Sequence, residues 1–153
     1  MSSTFSQIYI HVVFAVRGRE CLIHSSWEQE LFKYITGIIK NKDQHLLAIN
    51  GMPDHLHFLI RIRPSCPLSD LMREIKKSTN DFINDRKFLN HKFYWQEGYG
   101  AFSYSQYEVE KMINYIKNQK EHHKMVSFKA EYHKLLNDFQ IDYKDEYLFQ
   151  WIE

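Results

Sequence analysis

The chain has 153 residues, of which 44% are hydrophobic and 25% charged, and its formal net charge is +1. These values are typical of one folded domain and exclude a largely disordered or strongly basic protein. No apolar run reaches the length of a membrane span, and the first residues lack a signal-peptide pattern, so we expect a cytoplasmic protein. The two cysteines, Cys21 and Cys66, indicate neither a disulfide framework nor a metal-binding pair.

The first half of the chain contains three predicted strands and one helix. Residues 5–16 alternate in polarity, which predicts a strand whose apolar face carries Ile8, Ile10, Val12, Phe14 and Val16. Residues 25–41 begin with a capping box and continue with helical spacing. Residues 45–52 and about 55–63 are predicted strands, and the short Met-Pro-Asp turn between them makes them antiparallel neighbours.

The second half begins with a predicted helix, whose apolar stripe is formed by Leu68, Leu71, Met72, Ile75, Phe82 and Ile83. Residues 93–96 are predicted as a short fourth strand and residues 97–104 as a loop. A second capping box opens a helix over residues 105–122. A short helix over about residues 129–137 precedes an extended tail that ends at Trp151.

The resulting order, β-α-β-β-α-β-α, contains the split βαβ or ferredoxin-like arrangement. It predicts an α+β fold, an antiparallel sheet with the first two helices on one face, because crossover connections are right-handed. We expect a single domain over residues 1–153, with a core of residues 1–125 and a C-terminal tail of residues 126–153. Residues 111–134 are basic and residues 135–153 acidic. Solvation alone explains most such charge runs.

Two histidines lie one residue apart in the third predicted strand. Because side chains alternate along a strand, the core takes the apolar row formed by Leu56, Phe58, Ile60 and Ile62. His55 and His57 are therefore predicted on an exposed polar face of the sheet, beside two arginines, and His11 and Tyr9 share that face. Two imidazoles at this spacing can bind one metal ion, and they are also compatible with two solvent-facing residues.

The helix after the second capping box carries a tyrosine and a glutamine four residues apart. Val109, Met112, Ile113 and Ile116 form its buried stripe. Tyr115 lies on the flank of this stripe, and Gln119 lies one turn further on, so a phenol and a carboxamide are side by side. Taken alone, the pair is an ordinary half-buried tyrosine and a surface glutamine. Taken with the two histidines, it forms a candidate site for nucleophilic, metal-assisted chemistry.

These segments resemble a known family. GMPDHLHFLI resembles the His-hydrophobe-His motif of HUH single-tyrosine transposases, and INYIKNQKEHHK resembles their nucleophile helix. The best match is to transposases of small bacterial insertion sequences, related to the REP-associated tyrosine transposases, and it extends over nearly the whole chain. The resemblance implies that Tyr115 attacks the scissile phosphate and that His55, His57 and Gln119 bind a divalent metal, Mg²⁺ or Mn²⁺.

The resemblance also implies a reaction and its partners. Such proteins bind hairpins near transposon ends in single-stranded DNA, cut one strand and keep a 5′-phosphotyrosine while a 3′-hydroxyl is released. They are homodimers in which the tyrosine helix serves the histidines of its own chain or of the other subunit. The reaction fits the residues, because a phenol with a pKa of about 10 is a weak nucleophile that needs assistance, and a covalent phosphotyrosine allows strands to be rejoined without ATP.

Candidate DNA contacts are less specific. The basic residues predicted to neutralise phosphates are Arg17, Arg61, Arg73, Lys76 and Lys77. Tyr99, Phe102 and Tyr104, in the predicted loop, are compatible with stacking on bases and equally with packing in the core.

Two other functions are compatible with parts of this pattern. A zinc hydrolase would use His55, His57 and a third ligand such as His11 or Asp54. A non-enzymatic module that binds single-stranded nucleic acid would use the open face of a ferredoxin-like sheet, but such faces usually display aromatic residues rather than His and Arg. An inactive relative of the transposases would bind DNA hairpins without forming an adduct.

Overall fold

A four-stranded antiparallel sheet in the order β2-β3-β1-β4 forms the centre of the protein. The computed structural model describes residues 3–145 and residue 148. The strands are β1 (Tyr9–Ala15), β2 (His45–Met52), β3 (His55–Arg61) and β4 (Gly100–Tyr104). This is the predicted α+β, ferredoxin-like architecture. The predicted tail end at Trp151 lies outside the described residues.

Two helices, α1 (Glu28–Asn41) and α2 (Leu68–Asp85), pack on one face of this sheet, as predicted. Their apolar stripes meet the apolar rows of β1 and β3 in the main core, which includes Val12, Phe14, Leu31, Ile35, Phe58, Ile60, Leu71 and Ile75. The predicted capping box before α1 is wrong. The N-cap residue is Trp27, without a side-chain cap, because the backbone carbonyl of His24 already accepts from the N–H groups of Trp27 and Glu28.

Three further helices cover the other face of the sheet: α3 (Val109–Lys117), α4 (Gln119–His122) and α5 (Phe128–Asp138). The prediction of an exposed polar face is therefore wrong. Apolar residues of α3 pack on Leu59 of β3, and those of α5 pack on Val13 of β1 and Phe102 of β4. This second layer of helices buries His11, His55 and His57 completely.

The fourth strand lies later in the chain than predicted. β4 pairs with β1 from Tyr104 to Gly100, whereas Trp95 makes only an isolated bridge with Val16. The backbone N–H and C=O of Phe93 bind the side chain of Asn84 instead of a neighbouring strand, and Phe93 and Trp95 are buried in the main core. The segment around Trp95 therefore pairs with the end of β1 only over this short bridge, and its buried aromatic side chains pack in the main core.

The helix that carries the candidate nucleophile is broken near its end. The second capping box forms as predicted and leads through a 3₁₀ turn into α3. Asn118, with φ −96° and ψ 17°, interrupts the predicted continuous helix and separates α3 from α4. Gln119 follows this break and is fully buried. None of the helices in the described residues is long and apolar enough to cross a membrane.

Candidate active site

The candidate active site lies between the sheet and the second layer of helices. β3 contributes His55 and His57, which pair in register with Ala15 and Val13 of β1. Their rings point away from the main core, as the alternation predicts, and His11 of β1 lies on the same face. All three histidines are buried, with 1% exposure or less. An imidazole in such a place needs a defined partner for each nitrogen.

His55 is fixed by two contacts that orient its ring. Its Nδ1 lies 2.7 Å from Oδ1 of Asp54, and the ring stacks on Phe128 with centroids 3.7 Å apart. Its Nε2 faces the centre of the site, 3.2 Å from Nε2 of His123. Burial lowers the pKa of His55 to about 4, so the ring is neutral near pH 7. A neutral imidazole whose Nδ1 is held by a carboxylate is prepared to bind a metal through Nε2.

His11 contacts the nitrogen of His57 that faces away from the centre of the site. Nδ1 of His57 and Nε2 of His11 are 2.8 Å apart, and the two rings are stacked. Nε2 of His57 faces the centre, 3.0 Å from Oε1 of Glu131. Burial lowers the pKa of His11 well below its usual value. His11 and Asp54, considered above as a third zinc ligand, thus contact the far nitrogens of the two histidines instead of the centre of the site.

A buried carboxylate from α5 connects the parts of the site. Oε1 of Glu131 faces His57 and His123, at 3.0 and 3.2 Å. Burial raises the pKa of this carboxyl, but the interactions with His57 and the hydrogen bonds from His123, His57 and Tyr115 outweigh burial and hold its pKa well below the usual range. Glu131 is therefore an anion at neutral pH.

The second carboxylate oxygen of Glu131 holds the predicted nucleophile. The hydroxyl of Tyr115 donates to Oε2, and the amide Nε2 of Gln119 donates to the same atom at 3.2 Å. Burial, followed by the charge of Glu131, raises the pKa of Tyr115. The amide oxygen of Gln119 is buried and has no hydrogen-bond partner among the described residues. Such an orphaned acceptor is what a ligand for a cation requires.

The donor atoms fit one metal ion. Nε2 of His55, His57 and His123 and a carboxylate oxygen of Glu131 all lie within 4.8 Å of one another. Donors about 2.1 Å from one ion, at angles of about 90–109°, are about 3.0–3.4 Å apart. The distances quoted above from Glu131 to His57 and His123, and between His55 and His123, fall in that range. The distance from Nε2 of His55 to Oε1 of Glu131 is longer, at 3.8 Å.

Two members of this set, His123 and Glu131, were missed in the sequence. The available signal was a carboxylate in the apolar stripe of a helix. Glu131 is three residues after Phe128 and one before Tyr132, and both of these aromatic residues are buried. The sequence indicated His123 as a ligand less clearly, because it follows the end of a predicted helix, where basic residues are common for reasons unrelated to metal binding. The four predicted residues His55, His57, Tyr115 and Gln119 do meet, with Glu131 between them.

The five predicted DNA contacts are dispersed. Arg73, Lys76 and Lys77 belong to α2, on the opposite side of the sheet from the histidines, and Arg61 ends β3 in an exposed position. Arg17 is exposed, with its guanidinium 4.6 Å from the centre of the Tyr94 ring.

Of these residues, Lys76 has a local structural role. Its ammonium group donates to the backbone carbonyls of Gln96 and Gly98, and burial lowers its pKa to about 8. Lys76 therefore holds the loop before β4. Among the predicted loop aromatics, Phe102 is buried in β4, and Tyr99 and Tyr104 are partly buried.

Comparisons with known proteins agree with this fold. The transposases of insertion sequence IS200 from Salmonella typhimurium and Salmonella typhi are each 25% identical over 121 residues, which cover 75% of this chain and 78% of theirs. A structure of a candidate transposase from Deinococcus radiodurans has a TM-score of 0.61 at 18% identity, covering 78% of this chain and 95% of that one.

A second solved structure is that of a REP-associated tyrosine transposase bound to a REP hairpin. It matches with a TM-score of 0.61 at 18% identity, and the match covers 82% of this chain and 76% of the other. The family model described as "Transposase IS200 like" matches residues 4–119, about three quarters of the chain. The protein therefore belongs to the IS200-like transposase family.

Proposed function

We propose that this transposase cuts and rejoins single-stranded DNA at transposon ends through attack of Tyr115 on the scissile phosphate. The observation that carries the proposal is the convergence on one carboxylate of a tyrosine hydroxyl, a glutamine amide and the ring of His57. Hydrolysis needs no tyrosine at such a place, whereas strand transfer needs a protein nucleophile that retains the DNA end.

We propose that His55, His57 and Gln119 bind a divalent metal, together with His123 and Glu131. A bound ion would draw charge from a non-bridging phosphate oxygen and align the phosphate for in-line attack. Three imidazoles favour Mn²⁺ over Mg²⁺, because Mg²⁺ prefers oxygen ligands and retains several waters. Gln119 needs a rotation of its carboxamide to turn its unpaired oxygen towards the ion.

The residues of the chain supply the remaining steps. Oε2 of Glu131 holds the phenolic proton of Tyr115 and is in place to accept it. The phenolic oxygen then bonds to phosphorus and the bond from phosphorus to the 3′ oxygen breaks. That oxygen takes up a proton from water to leave as a 3′-hydroxyl, and Glu131 returns its proton to water. Attack of a 3′-hydroxyl on the 5′-phosphotyrosine reverses these bond changes and rejoins a strand.

The contacts of the tyrosine helix with its own chain are compatible with attack in cis. Asn50 donates through its amide to the carbonyl of Lys117 at 2.9 Å, and Lys120 lies 3.0 Å from the largely buried carboxylate of Glu28. An exchange of the helix between subunits would break these contacts within the chain and re-form them with the partner subunit. We propose that the protein forms a homodimer in which Tyr115 stays with the histidines of its own subunit.

The proposed DNA partner is a hairpin-bearing single strand, by analogy with the relative bound to a REP hairpin. Arg17, Arg61, Arg73 and Lys77 are exposed and remain proposed phosphate contacts, while Lys76 is the weakest candidate because its ammonium group already holds a loop. Neutral substitution of an exposed contact should lower affinity evenly across DNA sequences and reduce the salt dependence of binding.

The test is adduct formation. The chain is incubated with single-stranded DNA from the ends of its element and with Mn²⁺, then separated by denaturing electrophoresis. We expect a protein–DNA band that Tyr115→Phe abolishes and the matched control Tyr107→Phe keeps, since Tyr107 is 97% exposed. A zinc hydrolase would cut without a band and survive Tyr115→Phe, and an inactive hairpin-binding relative would shift DNA in a native gel yet give no band.

A further inference from the structure

A cleft of about 640 Å³ lies between α3 and α5 and reaches the candidate nucleophile. Tyr115 and Glu131 form part of its lining, so the cleft borders the phenolic hydroxyl and its carboxylate partner. The other walls are largely apolar and aromatic, and they include Tyr104, Met112, Leu135 and Phe139. The Tyr104 and Phe139 rings meet edge to face, with centroids 5.4 Å apart.

The mouth of this cleft is charged. Lys111 and Lys134 line it together with Glu108 and Asp138, and Lys134 pairs with Asp138 at 2.7 Å. For Lys111, no ion pair is found within the described residues. Apolar walls with a few polar groups and a volume of 300–1,000 Å³ are typical of sites for small organic ligands. Three turns of an α-helix would need about 1,300 Å³, so the cleft is too small for a docked helix.

We propose that this cleft binds one nucleobase of the cleaved DNA strand, from a nucleotide next to the scissile phosphate. The proposal rests on the proposed function, because that function places a phosphate at Tyr115. A single sugar joins base to phosphate, so a phosphate held there puts the adjacent base within reach of the cleft walls. Aromatic walls can stack on any of the four bases. Lys111 supplies a cation for the neighbouring phosphate.

The cleft would thereby add a protein contribution to the choice of cleavage site. The carboxylates of Glu108 and Asp138 can accept hydrogen bonds from exocyclic amino groups, and Lys111 and Lys134 can donate to ring nitrogens and carbonyl oxygens. A purely apolar cleft would stack on bases without choosing among them. This mixed rim therefore predicts different affinities for the four bases.

A direct test uses 2′-deoxynucleoside 5′-monophosphates as probes and 2-deoxyribose 5-phosphate as the base-free control. In methyl NMR spectra of the full chain, we expect the nucleotides to shift the signals of Met112, Val126 and Leu135, with dissociation constants at least threefold smaller than that of the sugar phosphate. Equal affinity for the sugar phosphate, or shifts only at methyl groups outside the cleft, would overturn the proposal.

A filled cleft gives the second test. Ala130 is exposed on the cleft wall, so Ala130→Phe should occupy the space without entering the core, and Lys129→Phe is the matched control one residue away from the lining. We expect Ala130→Phe to abolish the nucleotide shifts and to reduce adduct yield at least tenfold, while Lys129→Phe changes neither. Full adduct yield from Ala130→Phe refutes the cleft proposal alone. Absence of adduct from the unaltered chain refutes the proposed function, and the NMR titration still decides the cleft.

Discussion

Protonation of His55 should destabilise the folded protein. The pKa of this buried ring falls from 6.5 to about 4, chiefly through burial, so unfolding takes up a proton between these values. The neutral ring therefore contributes its full share to the free energy of unfolding above pH 6.5, and this share is lost as the pH falls towards 4. At 1.36 kcal/mol per pKa unit, a difference of about 2.5 units corresponds to about 3 kcal/mol between pH 7.5 and pH 4.

The assay is urea unfolding of the metal-free protein, with EDTA present, at a series of pH values. The lowered pKa values of His11, His122 and Glu131 also make the folded protein less stable in acid, and the raised pKa of His123 acts in the opposite direction. The difference between the unaltered chain and His55→Gln therefore reports the contribution of His55. His55→Gln retains a donor for Asp54 and should reduce the acid loss by about 3 kcal/mol. His45→Gln, an exposed histidine of β2, should not change it. Equal acid loss in His55→Gln and the unaltered chain would refute the reasoning.

Three other changes probe the metal site, the helix contacts and the core. Glu131→Gln should weaken Mn²⁺ binding at least tenfold in calorimetry, because it removes an anionic ligand, and unchanged affinity would exclude this role. Lys120→Met should lower the free energy of unfolding by about 1–3 kcal/mol, because it leaves the carboxylate of Glu28 unpaired. Adding Glu28→Gln should restore part of that loss, and no recovery in the double variant would contradict the pairing. Phe58→Ala should lower the free energy of unfolding, measured in the same way, by about 3–5 kcal/mol, because the ring is fully buried in the main core. A loss below about 1 kcal/mol would show that the ring is not packed there.

Local periodicity predicted the parts of the fold whose side chains alternate or repeat regularly. β1 to β3, α1 and α2 follow from rows of apolar residues, and the same alternation placed His55 and His57 opposite the main core. β4 was missed because Gly100 and Ala101 weaken the strand pattern, whereas Phe93 and Trp95 imitate it. A Cβ at position 100 would lie 2.6 Å from the hydroxyl of the buried Tyr132, so a larger residue there would force that ring to move.

The burial of the site could not be predicted from local pattern. On this face of the sheet, β1 carries Tyr9, His11 and Val13, and β3 carries His55, His57 and Leu59. Such a half-polar row is typical of a solvated face. It is buried because α5 brings Glu131 to satisfy the imidazoles, and this contact joins residues 74 positions apart in the chain. The break at Asn118, which turns Gln119 inwards, likewise depends on packing and not on helix propensity.

The most direct measurement of the central claim is the identity of the residue and the DNA end that become joined. After reaction with Mn²⁺, the protein is digested with protease and nuclease and analysed by mass spectrometry. The account predicts one modified peptide, with a 5′-phosphorylated nucleotide on Tyr115, and its loss in His57→Ala and in EDTA. Attachment at another residue, attachment through a 3′ phosphate, or an equal yield without the metal would contradict it.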